Sequence, residues 1–110
     1  MTAGTETGVV TVLMTAPGVE VAEAVVRRLL DDRLIACGNV LPGAVSLYRW
    51  EGEIHRDEEA LVVLKTLRGL VPGMLERAGE LHPYDVPELL VQPVVAGSAD
   101  YLEWVENECC

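Results

Sequence analysis

The sequence predicts a single α+β domain of order β-α-β-β-α-β with an extra C-terminal helix, the split βαβ arrangement with two helices on one face of an antiparallel sheet. Three observations predict it. Apolar runs of strand length, VVTVLM, ALVVLKTL and LLVQPVV, are separated by stretches whose apolar residues recur at helical spacing. Pro and Gly stand where such a chain must turn. At 110 residues the chain is long enough for one core and too short for two.

Val9 to Met14 reads as a first strand buried on both faces, ended by Pro17 and Gly18. Residues 1–8 ahead of it are expected to be a flexible tail, and residues 9–108 the domain. Val19, Ala22, Val26 and Leu30 then form an apolar stripe opposite Glu20, Glu23, Arg27 and Asp31, an amphipathic helix ending near Arg33. Residues 35–50 return to strand character, with Pro42 and Gly43 set to bend or bulge it. Glu51-Gly52-Glu53 fits a tight hairpin turn, because Gly takes the positive φ such a turn requires.

The third strand ends in Ala60 to Leu67. Leu70, Met74, Ala78 and Leu81 share the face of a second helix, which tolerates Pro72 only in its first turn. A rigid segment from His82 to Pro87 leads to a fourth strand, Leu89 to Val95. Ser98 stands at an N-cap position ahead of Tyr101, Leu102 and Val105 on the terminal helix.

Helices on one face leave the other open, yet these strands are apolar on both sides. No segment is spare to cover the second face, so another copy of the chain must do so. An obligate oligomer is therefore expected.

With 18 acidic against 8 basic residues, a formal net charge of −10 and no basic stripe, nucleic-acid binding is disfavoured. No window approaches the ~20 apolar residues of a membrane span, and no signal peptide is visible, so a cytoplasmic location is expected. Cys37, Cys109 and Cys110 have neither metal-type nor disulfide-framework spacing, which suits a reducing compartment.

The motifs TAPG (Thr15 to Gly18), ACGNVLPGAVSLYRWEGEI (Ala36 to Ile54), LKT (Leu64 to Thr66), ELHPYDVPEL (Glu80 to Leu89) and DYLEWV (Asp100 to Val105), in that order and spacing, resemble the CutA family. The resemblance implies a ferredoxin-like βαββαβ sandwich and a PII-like homotrimer in which long hairpin strands pair across protomers. It also implies a role in divalent-cation tolerance and in the response to metal ions, with copper or another divalent cation as the bound metal.

His82 is the leading candidate metal ligand, since Pro83 and Pro87 stiffen the segment that carries it alongside Tyr84, Asp85 and Glu88. The competing reading is a rigid connection whose polar groups bond locally. Cys37 and Met14 complete the candidate metal set, although a lone strand cysteine is more often a small buried apolar residue than a ligand. Some copper-binding members carry a thiol where this chain has Met14 and a second histidine where it has Leu81, so only His82 of that constellation is kept. A thioether favours cuprous copper over hard ions.

Tyr48, Trp50, Glu51, Lys65, Tyr84, Glu88 and Trp104 are expected in an inter-protomer cleft or at the trimer interface. His55 is expected to be solvated at the hairpin tip, and Cys109 and Cys110 to lie at a frayed terminus. No enzyme is expected: the TAPG loop has no Arg nearby, and no nucleophile-base pair is visible. A PII-like signalling or scaffold trimer, with a protein partner and no metal-dependent role, is the alternative.

Overall fold

The computed structural model describes residues 7–109. The predicted element order is found: β1 (Val9–Ala16), α1 (Val19–Asp31), β2 (Cys37–Trp50), β3 (Glu53–Leu67), α2 (Val71–Leu81), β4 (Leu89–Pro93) and α3 (Ala99–Glu108), with a 3₁₀ turn at Arg68–Leu70 before α2. The four strands form one antiparallel sheet of order β2-β3-β1-β4. Of the expected tail, residues 1–6 lie outside the described residues. Thr7 N–H and its hydroxyl both donate to Val94 O, at 3.1 and 2.9 Å, and Gly8 O accepts from Arg68 N–H.

Alternation along β1 and β3 sends Val12, Met14 and Ala16, with Ala60, Val62 and Leu64, to the helix-covered face. There they meet Ala22, Val25, Val26 and Leu29 of α1 and Met74 and Ala78 of α2. Full burial of a Leu or Met such as Leu29, Leu64 or Met74 stabilises the fold by roughly 1.5–3 kcal/mol each. The sheet and α1 approach closely at Gly38, where a Cβ would stand 2.7 Å from Val26 Cγ1. Gly at that point admits a contact that any side chain would block.

The stripe of α1 is centred one residue earlier than expected: Leu30 is 38% exposed and Leu29 takes its place in the core. At 3.6 residues per turn, Leu30 lies over a quarter-turn past Leu29 and leaves the sheet. Leu70 falls in the 3₁₀ turn and packs under α3 rather than on the α2 stripe. Pro72 sits in the first turn of α2, where its missing N–H costs no bond.

The long β2 strand is continuous but shifts register between Leu41 and Ala44, with Gly43 at φ 82, so the Pro42-Gly43 bend is a bulge. Beyond it, β2 and β3 form an arm closed at Trp50↔Glu53 by a two-residue turn. Both turn residues have positive φ, Glu51 at 52 and Gly52 at 83, the primed geometry whose twist matches the strands. β4 ends at Pro93, which an edge strand accommodates because its outer groups have no ladder partner. Ser98 is the N-cap residue of α3, yet its hydroxyl makes no capping bond.

The second face carries Leu13, Leu61 and Val63, half-buried, flanked by Leu41 at 46% and Leu90 at 55% exposure. Pairing places Leu90, Leu13, Val63 and Asn39 in one row across the sheet. Within the chain, α3 covers only one end of this face, packing Val105 on Val9, Ala36 and Cys109. The remainder is an apolar surface of the kind that marks an interaction site.

Candidate functional site

The three expected metal ligands do not converge. Met14 is fully buried in the helix-side core. Cys37 pairs with Lys65, which pairs with Thr11, so it belongs to the opposite face of the sheet. It is half-buried rather than buried, and the Tyr101 hydroxyl lies against it. His82 is buried, and both ring nitrogens are engaged: Nε2 lies 2.7 Å from Thr15 O and Nδ1 accepts from Tyr84 N–H at 3.1 Å. A carbonyl can only accept, so Nε2 carries the proton. The ring thus ties β1 to the segment after α2, as the local-bonding reading of HPYDVPE requires.

That segment forms one wall of an open cleft of about 720 Å³, with the bent β2–β3 arm as the other. Tyr48 and Trp50 of β2 project into it, as do Asp57 and Glu59 of β3 and Tyr84, Asp85 and Glu88 of the connecting segment. Asp57 and Glu59 are two residues apart, and so share a face of β3. Each accepts a tyrosine hydroxyl, Asp57 from Tyr48 and Glu59 from Tyr84, the latter at 2.8 Å. Tyr48 also stacks on His55, with ring centroids 5.6 Å apart.

Glu59 is 9% exposed, and among the described residues only Tyr84 bonds its carboxylate. Among the described residues, no Lys or Arg lines the cleft. The hydrogen bond to Asp57 raises the Tyr48 pKa first of all. Tyr84 is pushed up to about 12, by burial first and then by its bond to Glu59 and the negative charges of Glu59 and Asp57.

A phenol whose pKa is raised on folding stabilises the fold fully below its ordinary value near 10, and loses that contribution as pH rises toward 12. A tyrosinate absorbance titration should therefore show Tyr84 ionising late. Glu59→Gln should bring it only part of the way back, since burial remains. A Tyr84 that titrates normally in the wild type would contradict this geometry.

Of the seven residues expected in the cleft or at the interface, Tyr48, Trp50, Tyr84 and Glu88 line the cleft. Glu51 stands exposed at the hairpin tip, outside it. Lys65 lies on the open face, bonded to Asn39 Oδ1, and Trp104 is on α3 beside Tyr101, with ring centroids 5.6 Å apart. Asp57 and Glu59 were missed by the sequence reading. Their signal is the RDEEA segment, where three consecutive acidic residues, Asp57 to Glu59, run directly into a buried strand, so that strand alternation sets the first and third on one face. Cys109 is buried near the Thr66 hydroxyl rather than frayed, because α3 docks through this end; Cys110 lies outside the described residues.

The fold and cleft define a ferredoxin-like α+β domain with an open apolar sheet face and an acidic, aromatic-lined cleft at one end. The chain belongs to the CutA1 divalent ion tolerance protein family, which it matches over residues 10–108. It is 44% identical over 96 residues to the divalent-cation tolerance protein CutA of Thermus thermophilus, an alignment covering 87% of this chain and 93% of that one. The crystal structure of CutA from Xylella fastidiosa superposes with a TM-score of 0.91 at 38% identity, covering 94% and 99% of the two chains. The periplasmic divalent cation tolerance protein CutA of Archaeoglobus fulgidus superposes at 0.88 with 29% identity, over 91% and 97%. The resemblance read from the motifs is thus borne out in family and in fold.

Proposed function

We propose that the chain is a non-enzymatic divalent-cation tolerance protein that works as a homotrimer and meets copper or another divalent ion at ligands shared between copies. Family membership across nearly the whole domain carries the tolerance role. A tight chelate within one chain does not fit: among the described residues, no three His, Cys, Asp or Glu side chains stand close enough to hold a metal ion. Ligands from neighbouring copies would supply what one chain lacks, and the open face that would bring copies together also carries Cys37. Thiolate sulfur suits copper, and a reducing compartment such as the cytoplasm would keep Cys37 as a thiol.

Calorimetric titration with Cu(I), Cu(II) and Zn(II), on wild type and on Cys37→Ser and His82→Ala variants, tests this. Fewer than one ion per chain, lost with Cys37→Ser and kept with His82→Ala, is expected. One ion per chain that disappears with His82→Ala would place the site on His82 within a single chain and overturn the shared arrangement.

One observation favours a second reading, a PII-like trimer that presents a surface to a protein partner. The arm carries Val45, Leu47 and Ile54 exposed to solvent, with Val45 and Leu47 at the rim of the cleft. In that case, metal tolerance in cells would survive loss of metal binding but not Leu47→Glu.

A further inference from the structure

We propose that the open sheet face carries both halves of an ion pair between copies of this chain: Lys65 of one copy enters the arm cleft of the next and pairs there with Glu59. The pair rests on the homotrimer reading and goes beyond it, since it names the side chain that completes the cleft and the way round in which copies meet. The Lys65 side chain is half-buried on the open face, and among the described residues its one bond is to the uncharged Asn39 Oδ1. The row across the sheet that holds it, Gln92, Thr11, Lys65 and Cys37, contains no carboxylate. A covering copy would bury this ammonium group, which is costly unless an anion arrives with the cover.

Alternation along β3 sets Asp57, Glu59, Leu61, Val63 and Lys65 on one side of the strand. The face therefore runs from an acidic end, through an apolar middle, to the cation at Lys65. At about 3.3 Å per residue, Glu59 and Lys65 stand about 20 Å apart, too far to pair within one chain. Glu59 has the converse need: it is buried, and it bonds the neutral Tyr84 hydroxyl and no cation among the described residues. Interfaces in a cyclic trimer are heterologous, so each patch meets a different patch of the next copy. Setting the acidic end of one face against the Lys65 end of the next matches opposite charges across the apolar middle, whereas a like-to-like contact would set carboxylates against carboxylates. The cleft, about 720 Å³, has room for a lysine side chain, and Tyr48 and Trp50 offer apolar surface for its methylene stem.

Urea-induced dissociation, followed by light scattering over a range of protein concentrations, tests the pair through a double-mutant cycle of Lys65→Met and Glu59→Gln. Gln keeps an acceptor for the Tyr84 hydroxyl, and circular dichroism checks that each variant is folded. Either single substitution leaves the opposite charge buried alone, and should raise the dissociation constant of the trimer about tenfold or more. The double substitution removes both charges, and should weaken the assembly by clearly less than the product of the two single effects. Effects that multiply, or a folded single variant that assembles as tightly as the wild type, would overturn the pair while leaving the trimer standing. A wild type with the mass of one chain would overturn the trimer reading and this pair with it.

Discussion

Leu90→Asp is expected to abolish the assembly at micromolar concentration. In a single chain Leu90 is 55% exposed on the edge strand β4, so a carboxylate there stays in water and costs the isolated fold little. Under a covering copy the same carboxylate would be buried without a partner, at a cost on the order of several kcal/mol. Cyclic symmetry repeats that cost at every interface. Mass by light scattering gives one readout and thermal melting a second. The wild-type melting temperature should rise with protein concentration, because dissociation and unfolding are linked, whereas the variant should melt lower and independently of concentration. A variant that keeps the wild-type mass would show that this face is not the interface.

His82→Ala is the second large effect, and it falls on stability. The substitution leaves Thr15 O and Tyr84 N–H without partners in a buried setting, each at about 1–3 kcal/mol. It also opens a cavity where the ring was, so the total loss is about 3 kcal/mol or more. Urea unfolding of wild type and variant measures it through the transition midpoint at constant slope. A loss below about 1 kcal/mol would mean that the ring does not tie β1 to the segment after α2, and would return His82 to consideration as a metal ligand.

The fold was legible because its signals are local and redundant. Pro42-Gly43 marked the bulge, Glu51-Gly52 the turn and Pro72 the first turn of α2, each through backbone restrictions that hold whatever the packing. What spacing could not fix was phase. Leu29 and Leu30 are both apolar, and only docking of α1 on the sheet decides which is buried. The extent of β4 was overread because LLVQPVV is apolar throughout, whereas the strand stops at Pro93.

The candidate site was legible in part on both walls, through Tyr84 and Glu88 on one and Tyr48 and Trp50 of the arm on the other. ELHPYDVPEL drew attention to His82, Tyr84 and Glu88, but the role of His82 depends on Thr15 O, a distant backbone atom that no motif names. The acidic residues of the arm needed the third dimension: Asp57 and Glu59 read as part of a charged run until the bulge turns the arm and sets them across from Tyr84. Met14 and Cys37 looked compatible as ligands because sequence does not say which sheet face a residue occupies until the register is known.

The central claim is that the open sheet face is covered by further copies of this chain. The most direct test is the mass of the purified protein by light scattering at micromolar concentration. Three times the 11.9 kDa of one chain is the expected result. A folded species with the mass of one chain would contradict it.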